Sequence, residues 1–142
     1  MKTTTFLKVA LVTIVCTLTA CKSQKETAVK AEPEIANKYW KLVELNGAAV
    51  ESTAHIIFRT DGAVNGNLGC NEFNGVYMQQ EGNRIKFDKL VNTQKMCLDM
   101  SVEDELKRVL QIADNYNLTE KQLVLNKARM VPLARFEAVY MN

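Results

Sequence analysis

The sequence has 142 residues, room for one small domain, and its 47% hydrophobic and 24% charged residues are an ordinary globular balance. Its formal charge of +2 comes from Lys2 and Lys8 in the first twenty residues, so the remainder carries 16 basic and 16 acidic residues. A neutral chain with one Trp and no basic block offers nucleic acid no electrostatic handle, which excludes that class of partner.

Residues 1–20 read as a targeting segment. Lys2 and Lys8 give a positive start, and Val9 to Leu18 form an apolar run too short to span a bilayer comfortably. The run ends in Leu18-Thr19-Ala20-Cys21. Small residues before a cleavage point mark a secretory signal, and the cysteine directly after them makes the tetrapeptide resemble the lipobox of bacterial lipoproteins. That resemblance implies acylation of the Cys21 thiol, cleavage that leaves Cys21 first, and membrane lipid as its partner. Several acyl chains anchor a protein stably where one does not. No acid directly follows Cys21, since Lys22 and Ser23 come next, which favours an outer membrane facing the periplasm over the inner membrane. Residues 21–37 are then the lipidated cysteine and a flexible tether, polar and without period, with an r.m.s. reach of about 20–25 Å.

Beyond the tether, short apolar segments alternate with turn residues, the pattern of an antiparallel β protein. Tyr39–Leu45 reads as a strand ending at Asn46-Gly47. His55–Thr60 and Ala63–Leu68 flank Asp61-Gly62, a hairpin signal. Val76–Gln80 and Arg84–Asp88 flank Glu81-Gly82-Asn83 as a second hairpin. One helix follows, with Ser101 as the expected N-cap and Glu103, Asp104 and Glu105 in its first turn, where the helix dipole favours acids. Val102, Leu106, Val109, Leu110 and Ala113 make its apolar stripe, and Lys107 and Arg108 lie opposite. Tyr116–Thr119, Gln122–Asn126 and Val131–Tyr140 close the chain; Pro132 in the last suggests an edge strand.

The most specific local signal in the domain is Gly69-Cys70-Asn71-Glu72-Phe73-Asn74-Gly75-Val76-Tyr77. It resembles the GCN-x-F-x-G-x-Y signature of the META domain family, which includes the bacterial heat-shock protein HslJ. Trp40, Leu42 and Asn46-Gly47 match the family's opening W-x-L and N-G, and Thr93, Met96 and Cys97 match its T-x-x-M-C element. Between them Ile85, Phe87 and Leu90 fit, and later Glu105, Leu110, Leu123, Leu125, Leu133 and Phe136. The resemblance spans about residues 38–139 and sets the domain at 38–142. It implies an α+β fold: a curled, barrel-like antiparallel β-sheet packed around one main α-helix. It supplies no reaction, only an association with stress tolerance and envelope integrity.

Cys16 leaves with the signal and Cys21 carries lipid, so Cys70 and Cys97 remain, in an oxidising compartment where a pair commonly bridges. A structural disulfide, two buried free thiols and a reactive redox pair are the three readings. The redox one lacks a Cys-x-x-Cys and an evident helix start to acidify a thiol. His55, the sole histidine, has no partner motif for catalysis, and no nucleophile-elbow sequence is present. No clustered ligands suggest a metal and no cofactor is implied; helix-start electrostatics accounts for Asp99, Glu103, Asp104 and Glu105. Asn71 and Asn74 are expected to satisfy turn backbone, and Tyr77 and Trp40 to pack. The expected protein is a non-enzymatic, lipid-anchored envelope protein with an unknown protein partner. A ligand-binding or inhibitory β-module is the first rival, marked by a pocket of mixed polar and aromatic groups. A thiol-dependent redox protein is the second.

Overall fold

The structure, a computed structural model, describes residues 34–129 and 131–140. The expected signal peptide, Cys21 and most of the tether lie outside the described residues. The elements are β1 (Tyr39–Leu45), β2 (Ala48–Ala49), β3 (His55–Phe58), β4 (Ala63–Asn67), β5 (Glu72–Gln80), β6 (Arg84–Asn92), α1 (Ser101–Ile112), β7 (Asn115–Leu118), β8 (Gln122–Lys127) and β9 (Val131–Val139). Every pairing is antiparallel, and the strands run in order β1-β3-β4-β5-β6-β7-β8-β9, with β9 returning to pair with β1. The sheet therefore curls into a ring, the α+β architecture expected. Closure removes the long free edges that invite aggregation.

The alternation of each strand sends one face inward. Trp40 and Leu42 of β1, Ile56 and Phe58 of β3, Leu123 and Leu125 of β8 and Phe136 of β9 are fully buried, while their neighbours in sequence, apart from the buried Asn126, are half-buried or exposed. From α1, Leu106, Val109 and Leu110 enter the same apolar cluster. The turns obey their chemistry: Asn46 (φ 50°) and Gly47 (φ 81°) both take the positive φ that a two-residue hairpin needs. The ring is narrowest in hydrogen bonds between β6 and β7. There the register joins only Arg84 to Asn115, with flanking bonds Ile85 N to Asp114 O (3.2 Å) and Tyr116 N to Asn83 O (2.9 Å).

Four features depart from the sequence reading. Ile35 and Ala36, grouped with the tether, are buried, and the indole Nε1 of Trp40 donates to Ile35 O at 2.8 Å. The folded domain therefore begins before residue 38. β5 starts at Glu72 and β6 runs on to Asn92, so most of the Gly-rich motif is strand rather than turn. Pro132 lies in β9, which pairs on both sides and is not an edge. It is tolerated because pairing with β1 begins only at Ala134 and the β8 register shifts between Leu125 and Asn126. Finally, the residue preceding α1 is Met100, with no side-chain cap. Ser101 is the first helical residue, and its N–H is held by Asp99 Oδ1 at 2.8 Å.

Burial of the helical stripe sets a stability test. Leu106→Ala and Leu110→Ala should each cost about 2–5 kcal/mol, because each leaves a cavity in a packed core. Gln111→Ala, exposed on the same helix, should stay within about 0.5 kcal/mol. Denaturant titration of the three variants checks this, and equal losses would contradict the packing.

Candidate functional site

The motif around Gly69, the loop Thr93–Met100 and the first turn of α1 meet on Asn71. Asn71 is 1% exposed, and all four of its side-chain hydrogen-bonding positions are filled. Its Oδ1 accepts from Thr93 Oγ1 (2.7 Å) and Lys95 N (2.7 Å), while its Nδ2 donates to Lys95 O (3.0 Å) and Glu103 Oε1 (2.9 Å). Its backbone N–H donates to Glu103 Oε2 at 2.7 Å, and its carbonyl accepts from Leu68 N at 2.8 Å. Asn71 thus does far more than complete a local turn. It ties β5, the 93–100 loop and α1 together across 22 to 32 residues of sequence.

Glu103 lies in the first turn of α1 as expected, but its burial is what sequence reasoning missed. It is as buried as Asn71. Burial alone would raise its pKa, but hydrogen bonds from Lys107 and Asn71 hold it below the ordinary glutamate value. Lys107 Nζ lies 2.6 Å from Glu103 Oε1, so this lysine serves the buried carboxylate rather than a solvated face. A signal was present: position 103 falls in the helical register of Leu106, Leu110 and Ala113, and an acid there must find partners. Glu105, the acid matched to the family's helix, does other work. Its carboxylate accepts from Arg108 and from Asn46 Nδ2, clamping the β1–β2 turn to α1, and these bonds bring its pKa down to about 2.

Cys70 and Cys97 form a disulfide with Cα atoms 6.2 Å apart, so of the three readings that of two buried free thiols is set aside. It pins the loop that Asn71 also holds. Contrary to the sequence reading, a helix start lies close by, since Gly69 packs against Val102 and Glu103 of α1. Gly69 takes φ +125°, which side chains rarely adopt, so glycine is required there. Gly75 sits where the β5–β6 register shifts, and an added Cβ would fall 2.6 Å from Leu90 Cδ2 and 3.0 Å from Asp88 O. Phe73 and Trp40 are core. Tyr77 is buried, stacks edge-on against Phe58, and donates its hydroxyl to Arg59 O at 2.8 Å. Asn74 is exposed on β5. Among the described residues His55 hydrogen-bonds to no acid or nucleophile side chain; it stacks on Tyr39, and its Nδ1 lies 2.9 Å from Thr53 O.

The pinned loop exposes Gln94, Lys95 and Asp99 together with two large apolar side chains. Met96 is 93% exposed and Leu98 is fully exposed. The motif as a whole is a polar knot turned inward, with two large apolar side chains turned outward.

Fold and motif define a small curled-sheet domain whose signature residues hold a disulfide-pinned loop against one helix. The sequence profile of the META domain matches residues 33–140, and the chain belongs to that family. The family is not known as enzymatic. Two solved NMR structures resemble the domain with a TM-score of 0.59. One, of a protein from Burkholderia xenovorans, is 19% identical and covers 84% of this chain and 99% of its own; the other is 21% identical and covers 72% and 90%. A DUF4847 family protein from Bacteroides vulgatus, seen in a crystal structure, reaches 0.51 at 17% identity over 63% of this chain and 62% of its own. At these identities the likeness is one of fold. No curated protein matches the chain.

Two predictions test the knot. Because the folded pKa of Glu103 lies below its unfolded value, its contribution is present at neutral pH and lost as pH falls through the folded pKa. Glu103→Gln should therefore lose about 1–3 kcal/mol near pH 7, and the gap to the parent should narrow below about pH 4. Chemical denaturation across that range measures it; a gap constant with pH contradicts it. The double variant Cys70→Ser/Cys97→Ser should lose about 3–4 kcal/mol, the chain-entropy value for a loop of this length. Thiol titration of the unreduced parent should find neither Cys70 nor Cys97 free.

Proposed function

We propose that this protein is a lipid-anchored, non-enzymatic lipoprotein of the cell envelope that supports envelope integrity or stress tolerance by binding rather than by catalysis. One observation carries the non-catalytic part: Asn71, Thr93, Glu103, Cys70 and Cys97, the motif's chemically capable groups, spend themselves on one another. A nucleophile or general acid needs a free partner on the substrate side, and here these groups are already bonded to one another. The anchoring part rests on Leu18-Thr19-Ala20-Cys21 and the polar segment after it. With the domain beginning near Ile35, some thirteen residues would separate the acylated cysteine from the folded unit and keep it within about 20 Å of the bilayer. The absence of an acid at Lys22 and Ser23 supports an outer membrane facing the periplasm over the inner membrane. In this reading the rigid 93–100 loop is the surface offered to an envelope protein, since ordering a loop before contact lowers the cost of binding.

Mass spectrometry of the membrane fraction should find Cys21 acylated at the N-terminus, and Cys21→Ala should abolish acylation and release the protein from membranes. Recovery of unmodified soluble protein beginning elsewhere would refute the anchor. In a deletion strain, the parent gene should restore growth under envelope stress and Cys21→Ala should restore it poorly.

A further inference from the structure

A second surface, which touches the motif only where the Thr53 hydroxyl donates to Gly69 O at 3.3 Å, has the composition of a small-ligand site. On the outer face of the ring, Tyr39, Lys41 and Val139 line a hollow of about 480 Å³ with Ser52 and Thr53, within the size range of small-molecule sites. Tyr39 does not lie loosely on this surface. Its ring stacks on His55 with centroids 4.2 Å apart and planes 20° from parallel, and His55 is itself held by the Thr53 carbonyl. The Tyr39 hydroxyl has no hydrogen-bond partner among the described residues. Burial, with the charge of Glu72 second, raises its pKa and keeps it protonated. Lys41 makes no ion pair among the described residues.

We propose that this hollow binds a neutral pyranose unit of a glycan. The floor is apolar, from Tyr39 and Val139, and the edge carries two aliphatic hydroxyls, a phenol and an ammonium group. A pyranose presents that pattern in reverse, a C–H face and a rim of hydroxyls. Other ligand classes fit less well. An extended peptide would seek free backbone groups, but β1 is paired with β3 on one side and β9 on the other at Tyr39 and Lys41. An anion would find a single cation, faced across the β1–β9 register by Glu137. A flat aromatic compound would leave the polar edge unmatched. The fixed Tyr39 ring supplies contact area at little entropic cost. The site is independent of Cys21 and of the pinned loop, so its failure would leave the proposed anchoring and loop roles untouched.

Titration of the isotope-labelled full-length protein with glucose, N-acetylglucosamine, cellotriose and chitotriose, followed by amide chemical shifts, tests the proposal. Saturable shifts confined to Tyr39, Lys41, Thr53, Val139 and their neighbours are expected, at millimolar concentrations. Tyr39→Ala should weaken binding at least tenfold, Tyr39→Phe only a few-fold, with the melting temperature of Lys41→Ala unchanged and its affinity reduced. Should Tyr39→Ala fail to fold, Tyr39→Leu keeps the bulk and should show the same loss. Absence of saturable shifts with all four sugars, shifts mapping elsewhere, undiminished binding by the Tyr39 variants, or phenol binding the hollow while sugars do not would each overturn it.

Discussion

A carboxylate moved out of water is tolerated only where hydrogen bonds and a counter-charge replace its hydration, and the arrangement around Glu103 is built to that requirement. Asn71 supplies two donors and Lys107 a third, charged one. Because the donors come from the residue just before β5 and from α1 itself, satisfying one buried acid fixes the position of the helix against the ring. The other side of the Asn71 carboxamide grips Thr93 and Lys95, so the loop that leads into α1 is set by the same residue. Removal of one member leaves the others buried and unpaired, which is why such a knot behaves as a unit. The disulfide then closes the same loop covalently, from the residue next to Asn71.

The apolar core and this polar knot divide the work. Strands around the ring bury one face each, and α1 contributes three leucine or valine side chains to the same cluster. That hydrophobic burial is non-directional: it favours closing the sheet on the helix without selecting one helix position among several. Hydrogen bonds are directional, and the Asn71–Glu103 contact selects one. Glu105 adds a second, more exposed tie, joining the helix to the β1–β2 turn through Asn46 and Arg108. Together they leave Met96 and Leu98 outside on a loop with little freedom to fold back. The stacked Tyr39 and His55 form the other ordered feature of the outer surface.

Much of this was legible in the order of residues. Period-two alternation in His55–Phe58 marked inward and outward faces, Asn46-Gly47 marked the end of the first strand and Asp61-Gly62 a hairpin, because backbone sterics act locally. The stripe of Leu106, Val109 and Leu110 marked the helix and its buried side for the same reason. The family motif pointed to Gly69, Asn71 and Gly75 without saying what each does. Less legible was anything that depended on who stands opposite. Ile35 and Ala36 are two apolar residues in a polar stretch, and only the core beneath them makes them part of the domain.

The sequence by itself determined the strand pattern, the single helix, the candidate cysteine pair and the family, since these follow from local periodicity, turn chemistry and motif spacing. Tertiary structure alone decided that the sheet closes through β1 and β9, that Pro132 lies in a doubly paired strand, and that Cys70 lies within bonding distance of Cys97. It also decided that Glu103 rather than Glu105 is the buried acid. The two glutamates are two positions apart and chemically identical. A rotation of about 200° around the helix axis separates them, and only the position of Asn71, brought from 32 residues away, makes one a buried partner and the other a surface clamp.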